Sequence, residues 1–194
     1  MTRSQVLIIA VFVVAVVLMG YKRMSALGPT ASQPIVAPQF DEPLATHSST
    51  ETATYDQVTT ETTGHAESVQ ITFDPSKITY GTLLRIFFSV AHDPTQLNRQ
   101  GPDVGTSYRS VIFYSSELQH KIAQQYIQQL DGAHAFPAKI VTEVSPLKAF
   151  YKAEDYHQSY FANNPQNPYC AAVIQPKLYK FAKDFTEKIK PELL

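Results

Sequence analysis

Tryptophan is absent from this chain of 194 residues, and there is one cysteine, Cys170. A single cysteine excludes an intramolecular disulfide and leaves neither a stapled secreted scaffold nor a cysteine-ligated zinc site to be built. Any thiol relay would need a second molecule. Charge of one sign is also missing: charged residues make up 17% and the formal net charge is -1. Without clustered Lys and Arg there is no footprint for a nucleic-acid partner. Hydrophobic residues, at 44%, are enough for an interior and exclude wholesale disorder. The length suits one globular domain plus an N-terminal appendage, and a monomer is expected.

The long apolar run lies at the start. Val6 to Gly20 carries no charge, with Arg3 before it and Lys22 and Arg23 after it. It is short for a spanning helix, which needs about 20 apolar residues, although about 17 is tolerated. Residues 1–23 are therefore expected to be a hydrophobic helix that anchors the protein in a membrane. A cleavable signal peptide is the rival reading, but the small-residue site at Ser25 to Gly28 is poor. Residues 24–53 carry Pro29, Pro34, Pro38 and Pro43 among Ser, Thr and Ala, the composition of a tether.

Residues 54–194 alternate strand and helix signals. Val69, Ile71 and Phe73 alternate with polar neighbours, as in a half-buried strand, and Asp74-Pro75 ends it. Thr79 to His92 predicts a largely buried helix. Ser110 to Tyr114 predicts a short buried strand. Ser116 and Gln119 then form a capping-box signature for a helix with Leu118, Ile122, Tyr126 and Leu130 on one face, ended by Gly132. Lys139 to Val144 is a further strand candidate and Glu154 to Asn163 a helical one. A last helix aligns Leu178, Phe181, Phe185 and Ile189. This order implies a two-layer α/β sandwich of the α+β class.

Two polar loops feed buried strands: Gly64-His65-Ala66-Glu67, and Gln100 to Ser110 with Asp103 and Tyr108. Such loops commonly hold binding and catalytic groups. Desolvation of a Glu at the mouth of a buried strand would raise its pKa and suit it to general-acid work; a turn cluster with a surface Glu is the plainer alternative. His65-Ala66-Glu67 matches the His-x-Glu of zinc deaminases, but that signature requires two further cysteines, so no metal site is expected.

Several of these motifs occur together, in order: Tyr55-Asp56-Gln57-Val58, Thr63 to Val69, Phe73-Asp74-Pro75, His92-Asp93-Pro94, the Asp103 to Ser110 loop, and Glu154-Asp155-Tyr156-His157-Gln158 with Tyr160. Over roughly residues 53 to 185 the chain resembles the peptide-methionine (S)-S-oxide reductases. The resemblance implies a ferredoxin-like plait and the reduction of methionine sulfoxide in oxidised proteins. In that chemistry a cysteine thiolate attacks the sulfoxide sulfur while the oxygen is protonated, and the resulting sulfenic acid is recycled by a thioredoxin-like reductant, with no bound cofactor. By motif position Glu67 is the general acid, Tyr55 and Tyr108 supply hydroxyls to the sulfoxide oxygen, and Asp103 is associated with the site and its recycling. Family precedent for exported forms points to a periplasmic domain behind the anchor.

The nucleophile of that family sits in a Gly-Cys-Phe-Trp segment at the end of the first strand, before the position of Tyr55. This chain runs from Asp41 to Tyr55 with neither Cys nor Trp. The expectation is a core lacking its first strand and helix, and a chain without turnover. The alternative is a non-catalytic remnant or a module that binds methionine sulfoxide. Cys170, after Asn167-Pro168-Tyr169, reads as a partly buried unreactive thiol, with a substitute nucleophile as the less favoured reading.

Overall fold

The computed structural model describes the backbone strands at residues 5–10 and 39–43 and residues 53–189, apart from the side chain of Glu187. The chain builds a five-stranded sheet in the spatial order β2-β3-β1-β6-β7. Its members are β1 (Gln5–Ala10), β2 (Gln39–Pro43), β3 (Val69–Phe73), β6 (Val111–Tyr114) and β7 (Glu143–Pro146). A separate hairpin pairs β4 (Arg99–Gln100) with β5 (Asp103–Val104). β1 is antiparallel to both β3 and β6, and β2 is antiparallel to β3, which is the strand order of a ferredoxin-like plait. β7 adds parallel to β6 at the far edge.

The central position is the main correction to the sequence reading. The sheet does not lack a strand there, because Gln5–Ala10 fills the place, with Ile8 opposite Gln70 on one side and Phe113 on the other. Val6–Ala10, expected to open a hydrophobic helix, are strand; the rest of the run, residues 11–20, lies outside the described residues. An uninterrupted apolar run has no period that separates a membrane helix from a central strand. Here β3 and β6 each present a row of backbone donors and acceptors that only another strand can satisfy. Among the described residues no helix is long and apolar enough to cross a membrane. Within the stretch expected to be a tether, Gln39–Pro43 pairs with β3 as an edge strand. An edge tolerates Pro43, since the missing N–H costs no central ladder bond.

In β3 the predicted alternation holds: Val69, Ile71 and Phe73 are buried while Gln70 and Thr72 are half-buried. All of Val111, Ile112 and Phe113 in β6 are buried, so this strand is covered on both faces. Ile112 joins the main core with the helices; Val111 and Phe113 pack with Ala66 against Leu147 and Phe150.

The short helix α1 (Tyr55–Val58) precedes the Gly64–Glu67 loop. Next, α2 (Tyr80–Ile86) opens at Thr79, whose hydroxyl accepts from the Thr82 amide, and runs into a π-helical turn at Phe87–Ala91 before His92 turns extended. α3 (Glu117–Gly132) opens with Ser116 Oγ accepting from the Gln119 amide, while Gln119 Oε1 accepts from the Ser115 amide at 2.8 Å. The expected reciprocal cap thus forms, displaced by one residue. Leu118 departs from expectation: it is 62% exposed, and the packed face of α3 is carried by Ala123 with Ile122, Tyr126, Ile127 and Leu130.

The strand predicted over Lys139 to Val144 begins later, at Glu143. Before it, the amides of Ile140 and Val141 are taken by the Asp131 carboxylate and the Pro94 carbonyl instead of by a ladder. The helix expected over Glu154 to Asn163 is divided into a 3-10 turn (Asp155–His157) and α4 (Tyr160–Asn163) by Ser159, which has φ 53°. The last helix, α5 (Gln175–Asp184), follows a π-helical turn at Cys170–Ile174. Leu178, Phe181, Phe185 and Ile189 are all buried, as the spacing required.

Candidate active site

The two polar loops singled out in the sequence meet beside the ends of β3 and β6, the strands that flank β1. The Glu67 amide donates to the Ser107 carbonyl at 2.9 Å and joins them. Glu61, just upstream, reaches across as well. Its Oε2 accepts from the Ser107 amide (2.8 Å) and the Thr106 hydroxyl (2.9 Å), and its Oε1 accepts from Ser107 Oγ (2.6 Å). These bonds lower the Glu61 pKa despite the opposing effect of its burial, so it stays ionised.

Arg109 closes the junction from the other side. It donates to the carbonyls of Gly64, His65 and Thr106 at 2.9 to 3.2 Å and pairs with Glu143 at 3.4 Å. A rigid frame is thereby built from charge-assisted hydrogen bonds, which are about twice as strong as neutral ones. Glu67 rides on that frame.

The Glu67 side chain is the central group. Its Oε2 is wholly buried and has no hydrogen-bond partner among the described residues. Burial raises its pKa to about 7, and the negative charges of Asp103 and Glu61 add to the effect; a hydrogen bond with Tyr108 opposes it. A carboxyl with its pKa lifted to this range can hold a proton at neutral pH, the condition a general acid needs. Burial first, and then the neighbouring Glu67, hold the Tyr108 phenol well above its ordinary value, so it remains a donor.

Asp103, in β5, accepts from the Tyr169 hydroxyl at 2.7 Å. Lys177 lies within electrostatic reach of Asp103 and donates to the Ala91 carbonyl at 2.8 Å; burial lowers its pKa to about 8. Tyr55 sits at the outer side of the site. Its amide is capped by Glu154 Oε1 at 2.8 Å, and its phenol is near enough to Tyr108 to raise that group's pKa. The structure therefore brings Glu67, Tyr108, Asp103 and Tyr55 into one neighbourhood. Sequence reasoning missed Glu61, Arg109, Tyr169 and Lys177. Their roles arise from contacts across 34 to 86 residues, for which no local pattern exists.

Cys170 stands apart. It is 1% exposed and packs in the main core with Ile174 and Leu178. Burial pushes its thiol above the ordinary value, the opposite of what an attacking thiolate requires. Among the described residues no group of His, Cys, Asp and Glu could hold a metal ion.

A buried carboxyl with a raised pKa, one of its oxygens unpartnered among the described residues, thus lies next to a phenol at the end of an α+β sheet. Comparison with known proteins is specific about the family. The family model of peptide methionine sulfoxide reductase matches residues 45–189. Peptide methionine sulfoxide reductase MsrA of Saccharolobus solfataricus is 53% identical over 137 residues, which are 71% of this chain and 76% of the relative. MsrA 2 of Mesorhizobium japonicum is 57% identical over 126 residues, 65% of each chain. Among solved structures, Mxr1 from Saccharomyces cerevisiae in its reduced form aligns with a TM-score of 0.69 at 30% identity, covering 85% of this chain and 88% of that one. Methionine sulfoxide reductase A of Corynebacterium diphtheriae aligns at 0.56 and 29% identity, covering 84% and 76%. This chain belongs to the peptide methionine sulfoxide reductase family, and by descent its chemistry is the reduction of methionine sulfoxide.

Proposed function

We propose that this chain keeps the half of the reductase site that recognises and protonates a sulfoxide and lacks the half that attacks it. The observation that carries the reading is Glu67 Oε2, buried, without a partner among the described residues and on a carboxyl with a pKa of about 7. A sulfoxide oxygen is a strong hydrogen-bond acceptor, and a protonated Glu67 can donate to it. Tyr108 and Tyr55 supply hydroxyls on the same side, and Asp103, held by Tyr169, keeps the Glu67 proton in place by its negative charge. No bound cofactor is needed.

The attacking thiolate has no counterpart, since Cys170 is inside the core with its pKa raised. Proton donation contributes about 10²–10⁴-fold only to a bond-forming step that something else performs. Without that step no sulfenic acid forms, and the thioredoxin-like reductant that would recycle it in an intact relative has nothing to reduce. The chain is thus a binder of oxidised methionine built on a reductase. Calorimetric titration with methionine (S)-sulfoxide tests this, beside a turnover assay with dithiothreitol. Binding that is weakened by Glu67→Ala, with no turnover, is expected; turnover abolished by Cys170→Ser would overturn it.

The proposed location, a periplasmic domain behind a membrane anchor, is carried by the apolar run Val6 to Gly20 and its basic flanks alone. It competes with β1 for the same residues, because Val6–Ala10 cannot lie in a bilayer and in the sheet at once.

A further inference from the structure

An exposed aromatic rim leads away from Glu67. Tyr108 bonds Glu67 and is half-buried, Tyr55 is 42% exposed and Tyr156 is 62% exposed. The rings form one assembly: Tyr55 meets Tyr156 edge-on with centroids 6.4 Å apart, and His157 lies 4.9 Å from Tyr55 and 4.3 Å from Tyr156. Glu154 ties the two sides of the rim together by accepting the Tyr55 amide hydrogen bond. Rings held in this way lose little further freedom when a ligand lands on them.

Two carboxylates lie within electrostatic reach of the rim. Burial first, and then the negative charges of Glu154 and Asp56, raise the pKa of the Tyr156 phenol. Burial lowers the pKa of His157 against the opposing effect of Glu154, whose Oε2 lies 4.0 Å from His157 Nε2. Lys152 pairs with Asp155 at 3.0 Å. Exposed phenol faces beside the Asp56 and Glu154 carboxylates are complementary to a cation on an extended peptide: the ring attracts it by its quadrupole and the carboxylates attract it by their charge.

We propose that Tyr156 and Tyr55 form a docking rim for the polypeptide that flanks an oxidised methionine, and that with Asp56 and Glu154 the rim selects segments bearing lysine or arginine next to that methionine. The inference rests on the reading of the Glu67 site as the place where the sulfoxide binds. A free amino acid is too short to use the rim, so the rim sorts protein-borne ligands.

The test uses the full chain and four probes in an anisotropy or calorimetric titration. They are free methionine (S)-sulfoxide, a pentapeptide with methionine sulfoxide between two lysines, the same peptide with two glutamates, and the lysine peptide with unoxidised methionine. The lysine sulfoxide peptide is expected to bind about tenfold more tightly than the glutamate one. Tyr156→Ala should abolish that preference, Tyr156→Phe should keep it, and neither should change the affinity for free methionine sulfoxide. Equal affinities for the two sulfoxide peptides, or a preference unmoved by Tyr156→Ala, would overturn the rim. If free methionine sulfoxide fails to bind while the unoxidised lysine peptide still binds in a Tyr156-dependent way, the Glu67 reading falls and the rim stands. If no probe binds, both fall.

Discussion

A Cβ added to Gly105 would lie 2.3 Å from the carboxyl carbon of Glu61, so the loop that carries Tyr108 closes around this carboxylate only because residue 105 has no side chain. Gly105 also has φ 149°, a conformation that L side chains rarely adopt. Both Glu61 oxygens are committed to Thr106 and Ser107, so the side chain cannot swing away without loss. Gly105→Ala is therefore expected to cost about 2 kcal/mol or more, read as a lower urea midpoint with an unchanged slope. Glu61→Ala combined with it should recover the steric part but not the backbone part.

The second prediction concerns turnover. β1 ends at Ala10, and Val11-Phe12-Val13 follow in sequence, the place to which the family resemblance assigns a Gly-Cys-Phe-Trp segment after the first strand. The unmodified chain should not reduce methionine (S)-sulfoxide with dithiothreitol. Ala10→Gly with Val11→Cys and Val13→Trp should gain activity, and Glu67→Gln in that background should lose about 10²-fold or more of it. Cys170→Ser should change nothing in either chain.

Acid should act on two buried groups in opposite directions. The Glu67 pKa is raised from 4.5 to about 7, so its contribution to stability is complete below pH 4.5 and is lost as the pH rises towards 7, by no more than about 3 kcal/mol. His92 is the reverse. Its Nδ1–H donates to the Phe87 carbonyl and its Nε2 accepts from Ser110 Oγ at 2.6 Å, and burial lowers its pKa to about 3. Stability from the neutral imidazole is present above pH 6.5 and lost as the pH falls towards 3. Between pH 4.5 and 6.5 the two trends offset each other. Glu67→Gln removes one of them, so its stability should fall on acidification more steeply than that of the parent chain in melts over this range.

Cys170 provides a direct probe of the core. Because it is 1% exposed with its pKa raised, a maleimide or Ellman reagent should leave it unmodified in the native chain and label it fully in urea. Labelling of the native chain at the rate of a free thiol would place Cys170 outside the core and reopen its candidacy as a nucleophile.

The place of the N-terminal strand can be tested through its backbone. Ile8 pairs with both Gln70 and Phe113, so Ile8→Pro would break a ladder on two sides of the central strand. It should destabilise the fold by about 3 kcal/mol or more and speed amide exchange in Val69–Phe73. Unchanged exchange, with the chain retained in membranes after carbonate extraction, would show that the run is an anchor and not a strand.

The elements legible in the sequence were those with a local cause. The two-residue period of Val69, Ile71 and Phe73, the Ser116 and Gln119 cap, and the buried stripe from Leu178 to Ile189 all depend on neighbours a few residues away. Glu67, Tyr108, Asp103 and Tyr55 were legible as a set because their motifs occur in family order, and the structure brings them together. The split of the expected Glu154 to Asn163 helix was not legible, since a left-handed Ser159 leaves no mark in composition.

By itself, then, the sequence determined the family, the candidate acid and phenols, the lack of a Gly-Cys-Phe-Trp segment and the presence of a long apolar run. Only the tertiary structure decided that part of this run is the central strand, that Cys170 lies in the main core, and that burial raises the Glu67 pKa to about 7. The reason is physical: a backbone donor is satisfied by whichever strand reaches it, and a pKa is set by the burial and charges that distant residues bring, so neither is a property of a local stretch of chain.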